Sequence, residues 1–161
     1  MKTYKAPWGV PLVLTSSLFT VLCVGAFIAM PVLLGGSTHP LVIAAQWLPL
    51  LLLLGCLPFV VLSYTITGDA ILIRRLFWTT RLERAGLESA EGVPNVMLRS
   101  VRTFGNGGGF SFTGWYWNKQ LRFYRAYVTD FKRTVVLRFH GRTVVLSPDM
   151  PEDFVNELAD Q

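Results

Sequence analysis

Hydrophobic positions fall into two regimes along this chain. From Val10 to about Leu34, and from Pro40 to about Leu62, apolar residues run almost unbroken. Each run is near the roughly 20 residues that carry a helix across a bilayer. From Ser63 onward the runs become short and alternating, separated by turn residues, which predicts an antiparallel all-β domain. SYTIT and AILIRRLFW flank Thr67-Gly68-Asp69 and read as two strands, and FSFTGWYW and LRFYRAYVTD as two more. TVVLRF and RTVVLS around His140-Gly141 form the clearest hairpin. Val135, Leu137 and Phe139 share one face with Val144 and Leu146 opposite, while Arg138 points away. VMLRSVRTF, Val96 to Phe104, has strand composition, whereas Arg81 to Asn95, with Gly92 and Pro94 closing it, reads as a loop with room for one helical turn. The chain closes on an amphipathic helix. Asp149 is its N-cap, Glu152 completes a capping box, Pro151 fits the first turn, and Phe154, Val155 and Leu158 form the apolar stripe.

Charge sharpens this division. Only 16% of the 161 residues are charged against 52% hydrophobic, too apolar for a simple soluble domain. No Asp, Glu, Lys or Arg occurs between Lys5 and Asp69. The turn GGSTHP between the two spans carries no permanent charge. Lys2 and Lys5 precede the first span and Arg74, Arg75, Arg81 and Arg84 follow the second, so the positive-inside rule puts both termini in the cytoplasm. Tyr4, Trp8 and Tyr64 stand where interfacial aromatics belong, and Pro31, Pro49 and Pro58 predict kinks within the spans. Val24-Gly25-Ala26 offers a competing signal-peptide cleavage site; cleavage there leaves the second span and the orientation unchanged. The reading divides the chain into a two-helix anchor, residues 1–62, and a cytoplasmic domain, residues 63–161, with no flexible linker between them.

Candidate chemistry is sparse. Cys23 and Cys56 both fall in the spans without metal-like spacing, which leaves the domain disulfide-free as in a reducing compartment. His39 and His140 fall in turns, without the Cys, Asp or His neighbours that a metal or catalytic site needs. Asp130, Asp149 and Glu152 are explained by turns and the helix cap, and no base is placed to activate a serine. The expectation is therefore a protein that is not an enzyme and takes no metal or cofactor.

Taken in order, the hairpin anchor, YTITGDAILIRR, RTFGNGGGF with a further glycine at Gly114, YRAYVTD and VVLSPDMPEDFVNEL resemble the bacterial pleckstrin-homology-like (PH-like) domain family, in its membrane-anchored form with two N-terminal helices. The likeness spans essentially the whole chain. It implies a seven-stranded, strongly bent sheet or barrel capped by the C-terminal helix, at the bacterial inner membrane, and no known catalytic residue.

Three features remain as sites. FGNGGGFSF lacks the lysine and the following helix of a phosphate loop. Gly105, Asn106, Gly107, Gly108 and Gly109 therefore read as a structural hairpin, with Asn106-Gly107 as its turn. Trp115, Tyr116, Trp117, Phe123, Tyr124 and Tyr127 interleave with Lys119, Arg122 and Arg125. With thirteen basic against ten acidic residues from Asp69 onward, a tethered domain is a poor nucleic-acid binder. Alternation sends about half of these rings to the core, and Trp115 and Trp117 remain for a membrane or partner contact. Arg74, Arg75, Arg81 and Arg84 are held near the anionic leaflet, where each contributes about 1 kcal/mol. They read first as topology determinants and second as headgroup or partner contacts. The basic pair of inositide-binding PH domains has no counterpart in Thr67-Gly68-Asp69. The function implied is a non-enzymatic membrane-bound binding or scaffold module whose partner is a protein or a second copy, with anionic lipid headgroups as the alternative.

Overall fold

The computed structural model describes residues 1–36 and 39–159. Ser37 and Thr38 of the expected inter-span turn lie outside them. The two apolar runs form α1 (Val10–Leu33) and α2 (Pro40–Cys56), which pack on each other. Both are long and apolar enough to cross a membrane, the second when counted through Phe59. The second helix ends earlier than its hydropathy predicts. A 3-10 turn over Leu57–Phe59 contains Pro58, and Val61, fully buried, already belongs to a strand.

Among the described residues, ten strands make two sheets. The first, in the order β1-β2-β3-β4, contains β1 (Lys2–Lys5), β2 (Val61–Ile66), β3 (Ala70–Arg75) and β4 (Thr79–Glu83). The second contains β5 (Leu87–Gly92), β6 (Val101–Gly107), β7 (Phe112–Asn118), β8 (Arg122–Val128), β9 (Val135–Phe139) and β10 (Arg142–Leu146), in the order β5-β9-β10-β8-β7-β6. All neighbours are antiparallel except β10 and β8. The β9–β10 hairpin has the expected faces, with Gly141 at φ +81° in the turn.

The expected seven-stranded sheet or barrel is thus corrected to two sheets that do not close. Part of the difference lies in residues 81–95, where a loop was expected. Arg81 to Glu83 complete β4, and the chain turns at Gly86, φ +84°, to start β5 in the other sheet. Residues 96–99, expected as strand, continue the turns that begin at Pro94, with Asn95 and Arg99 at positive φ, and bury Val96 and Met97 beneath the second sheet.

The N-terminal strand was not anticipated. Lys2–Lys5 pair with Ile66 to Ser63, so Tyr4 is no interfacial residue: it is 1% exposed, packs edge-on against Phe154 at 5.0 Å and donates to Asp153 O at 3.1 Å. Tyr64 is likewise buried, donating to Tyr127 O at 2.7 Å and accepting from Ser147 N at 3.3 Å, and burial pushes its pKa up to about 12. Asp149 does not cap the last helix, α3 (Pro151–Ala159). Its carboxylate accepts the Lys5 backbone N–H at 3.1 Å instead.

Two apolar cores lie on the two faces of the second sheet. One joins the sheets and α3 around Tyr64, Ile71, Tyr127, Leu137 and Phe154. The other, under Phe112, Tyr124 and Val145, takes in Leu12 of α1. The first turn of α1 is therefore part of the domain core, and Gly9 N donates to Thr129 O at 2.9 Å just before it.

Candidate ligand cavity between the helices and the glycine hairpin

Strands β6 and β7 approach each other more closely than side chains allow. Gly105 (φ +113°) faces Gly114 (φ +137°) in the ladder. A Cβ on Gly105 would lie 2.7 Å from Gly114 Cα, and one on Gly114 2.8 Å from Gly105 Cα. Only glycine fits either position. The pairing continues through Asn106↔Thr113 and Gly107↔Phe112, so Asn106-Gly107 belongs to the strand and the turn is residues 108–111. Asn106 closes that turn with its side chain, which accepts from Gly109 N at 2.9 Å and donates to Gly109 O.

The hairpin tip docks on the helices. Thr15 and Ser16 of α1 donate to Gly108 O at 3.1 and 3.0 Å, Ser16 Oγ accepts from Phe110 N at 3.0 Å, and Ser111 Oγ donates to Phe59 O at 2.8 Å. A Cβ on Gly109 would meet Cys56 Sγ at 3.1 Å. Glycine at these positions lets backbone lie directly on the helix pair. Replacing Ser16 by Ala leaves the Phe110 amide without a partner, which costs about 1–3 kcal/mol locally. Hydrogen exchange at that amide is expected to accelerate roughly 10- to 100-fold, while the β9–β10 amides are unchanged.

Between the helices, this hairpin and the end of β3 lies a cavity of about 580 Å³, in the roughly 300–1,000 Å³ range of ligand pockets. Phe19, Cys56 and Phe59 form one wall, and the glycine strand with Trp115 and Tyr127 the other. Arg75, Arg102 and Arg125 are among its lining residues, and none of the described residues lining it is acidic.

Arg75 is the most constrained of the three. It is 7% exposed, with its guanidinium 5.9, 5.5 and 4.9 Å from the rings of Phe59, Trp78 and Tyr127. Its Nε and the Tyr127 hydroxyl are both buried without a hydrogen-bond partner. Burial lowers the Arg75 pKa, the Arg125 charge adding to the shift and Tyr127 opposing it. A guanidinium still remains charged. Arg125 lies over Trp115 at 5.7 Å and Tyr127 at 5.3 Å. Arg102 lies across Gly107, where a Cβ would displace it. Like charges that share a cavity without a carboxylate repel one another.

A profile of the bacterial PH domain matches residues 62–161. The chain belongs to the bacterial PH domain family. No curated protein and no solved structure matches it. Membership points to a binding or scaffold module, the family being typically non-catalytic. The matched range takes in β2 to α3 and leaves out β1 and both helices, so the cavity lies at the boundary between the PH domain and its N-terminal extension.

Of the arginines singled out from the sequence, Arg75 alone enters the cavity. Arg74 is exposed on the opposite face of β3. Arg81 is ion-paired with Asp69, and Arg84 donates to Thr67 O and Leu158 O, tying a turn to α3. Trp115 is on the rim, 43% exposed, while Trp117 lies one row away opposite Val101 and Phe123, outside the lining. Sequence reading passed over Arg102, and noted Arg125 only among the basic residues near the aromatic run. The available signal was period two: Arg125 and Tyr127 share a strand face, and the glycines mark the strand facing them.

Proposed function

We propose that this PH-domain protein is a membrane-anchored, non-enzymatic binding module. α1 and α2 cross the bacterial inner membrane, and both termini and the PH domain face the cytoplasm. The chain divides near residue 62, with β1 paired across that division. In this reading the cavity is its binding site and the ligand is anionic. Exposed Leu14, Leu18, Leu51 and Leu52 on the helices support the anchor, since apolar surface of this extent needs cover. The positive-inside count supports the orientation.

One observation carries the ligand class: three arginines line the cavity with no acid among its described lining residues, and one of them has a buried Nε without a hydrogen-bond partner. A partner protein or a second copy, the other reading drawn from the sequence, has the exposed rings of β6–β8 in its favour but does not account for this buried charge.

The test is the thermal stability of the full chain in uncharged detergent micelles, with and without inorganic phosphate or phosphatidylglycerol. One of the two is expected to raise Tm, by an amount equivalent to about 2.7 kcal/mol at a hundredfold excess over Kd. Arg102→Gln with Arg125→Gln should remove the rise. If neither anion stabilises the wild-type chain, the binding reading is wrong.

A further inference from the structure

We infer that the ligand is an anionic glycerophospholipid of the surrounding leaflet, entering the cavity sideways from the bilayer with its phosphate on Arg75, Arg102 and Arg125 and its chains on the apolar walls. This rests on the anionic-ligand reading above and names the ligand's class and route.

The cavity is amphipathic along its length. Its helix wall, Phe19, Cys56 and Phe59, continues the apolar surface of α1 and α2, while its far wall ends on the arginines. A small soluble anion would neutralise the arginines and leave that helix wall wet. A lipid satisfies both ends. Its depth is also suitable: the hairpin tip meets α1 at Ser16, six residues beyond Val10, or about 9 Å at 1.5 Å per residue. The headgroup layer is about 5–8 Å thick on each side of the hydrocarbon, so the tip reaches the boundary between them.

Two exposed apolar features flank this opening. The face of β6–β8 that the first sheet leaves uncovered carries Phe104, 77% exposed, with Phe123, Val101 and Trp115 in adjoining ladder positions. On the other side the β3–β4 turn exposes Leu76, Phe77 and Trp78, with Trp78 edge-on to Phe59 at 5.7 Å. Both are suited to acyl chains and the interfacial zone, where aromatic rings concentrate. A zwitterionic headgroup would bring a fourth cation to a site that already holds three, so the preference is for lipids whose headgroup bears no cation.

The experiment places the full chain in nanodiscs containing brominated phosphatidylglycerol or brominated phosphatidylcholine at equal mole fraction and reads tryptophan quenching. Quenching by the brominated phosphatidylglycerol is expected to exceed that by the brominated phosphatidylcholine several-fold. Trp115→Phe should remove most of the excess, Arg102→Gln with Arg125→Gln should abolish it, and Arg74→Gln, outside the cavity, should not. Soluble glycerol 3-phosphate should leave the excess in place. If the excess is missing yet glycerol 3-phosphate still stabilises the chain in an Arg125-dependent way, the cavity binds a soluble anion and the lipid inference is overturned. If neither lipid nor soluble anion binds, the anionic-ligand reading falls with it. An excess that Arg74→Gln reduces as much as the cavity pair would reduce the effect to surface charge and overturn the site.

Discussion

Gly114→Ala is expected to destabilise the chain by about 3 kcal/mol or more, among the largest losses that a single methyl can cause. Two costs add. The backbone at φ +137° lies in a region that is essentially closed to residues with a side chain, and the new Cβ would press on the Phe104 carbonyl and Gly105 Cα. Neither neighbour can yield, because both are backbone in a paired strand. The hairpin must open, and with it go the cavity wall and the contact with α1. Denaturant unfolding of the full chain in micelles measures the loss. A change under about 1 kcal/mol would show that β6 and β7 do not approach as closely as Gly105 and Gly114 imply.

Arg75→Met is expected to move stability and binding in opposite directions. Burying one ion costs several kcal/mol even after relaxation, whereas a desolvated cation–π contact returns about 2 kcal/mol, and methionine keeps favourable sulfur contacts with the same rings. Desolvation is the larger effect for an arginine without a counterion, so the variant should melt a few degrees higher in phosphatidylcholine nanodiscs. Its affinity for phosphatidylglycerol should fall about 10- to 100-fold, the worth of a charge-assisted hydrogen bond. A variant that melts lower in every lipid and binds normally would make Arg75 a structural pin between Phe59, Trp78 and Tyr127, and move the anion elsewhere.

Several elements were legible in the chain because their cause is local. The β9–β10 hairpin follows from strict alternation around His140-Gly141, and α3 from its apolar stripe and Pro151, although its supposed cap, Asp149, is committed to Lys5. The misreadings share a physical origin. Four residues, Lys2–Lys5, are too few for periodicity to declare a strand, and their partner lies some sixty residues away in β2. Residues 81–95 carry no clean alternation because β5 is an edge strand, paired only to β9 and half exposed. Tyr4 and Tyr64 look interfacial by position beside a span, yet both turn inward because the chain enters the sheet directly on either side of the helices.

The sequence by itself determined the two apolar helices, the mainly-β character of the chain beyond them, the family, and the need for glycine in a hairpin after Phe104. Each depends on composition, period or spacing, which neighbours along the chain express. Tertiary structure alone decided what that hairpin touches and which arginines meet. Arg75, Arg102 and Arg125 come from three strands in two sheets, and the wall opposite them from two helices near the N-terminus. Side-chain spacing along one strand can predict a face. It carries no information about which distant face will be laid against it, and the cavity exists only in that juxtaposition.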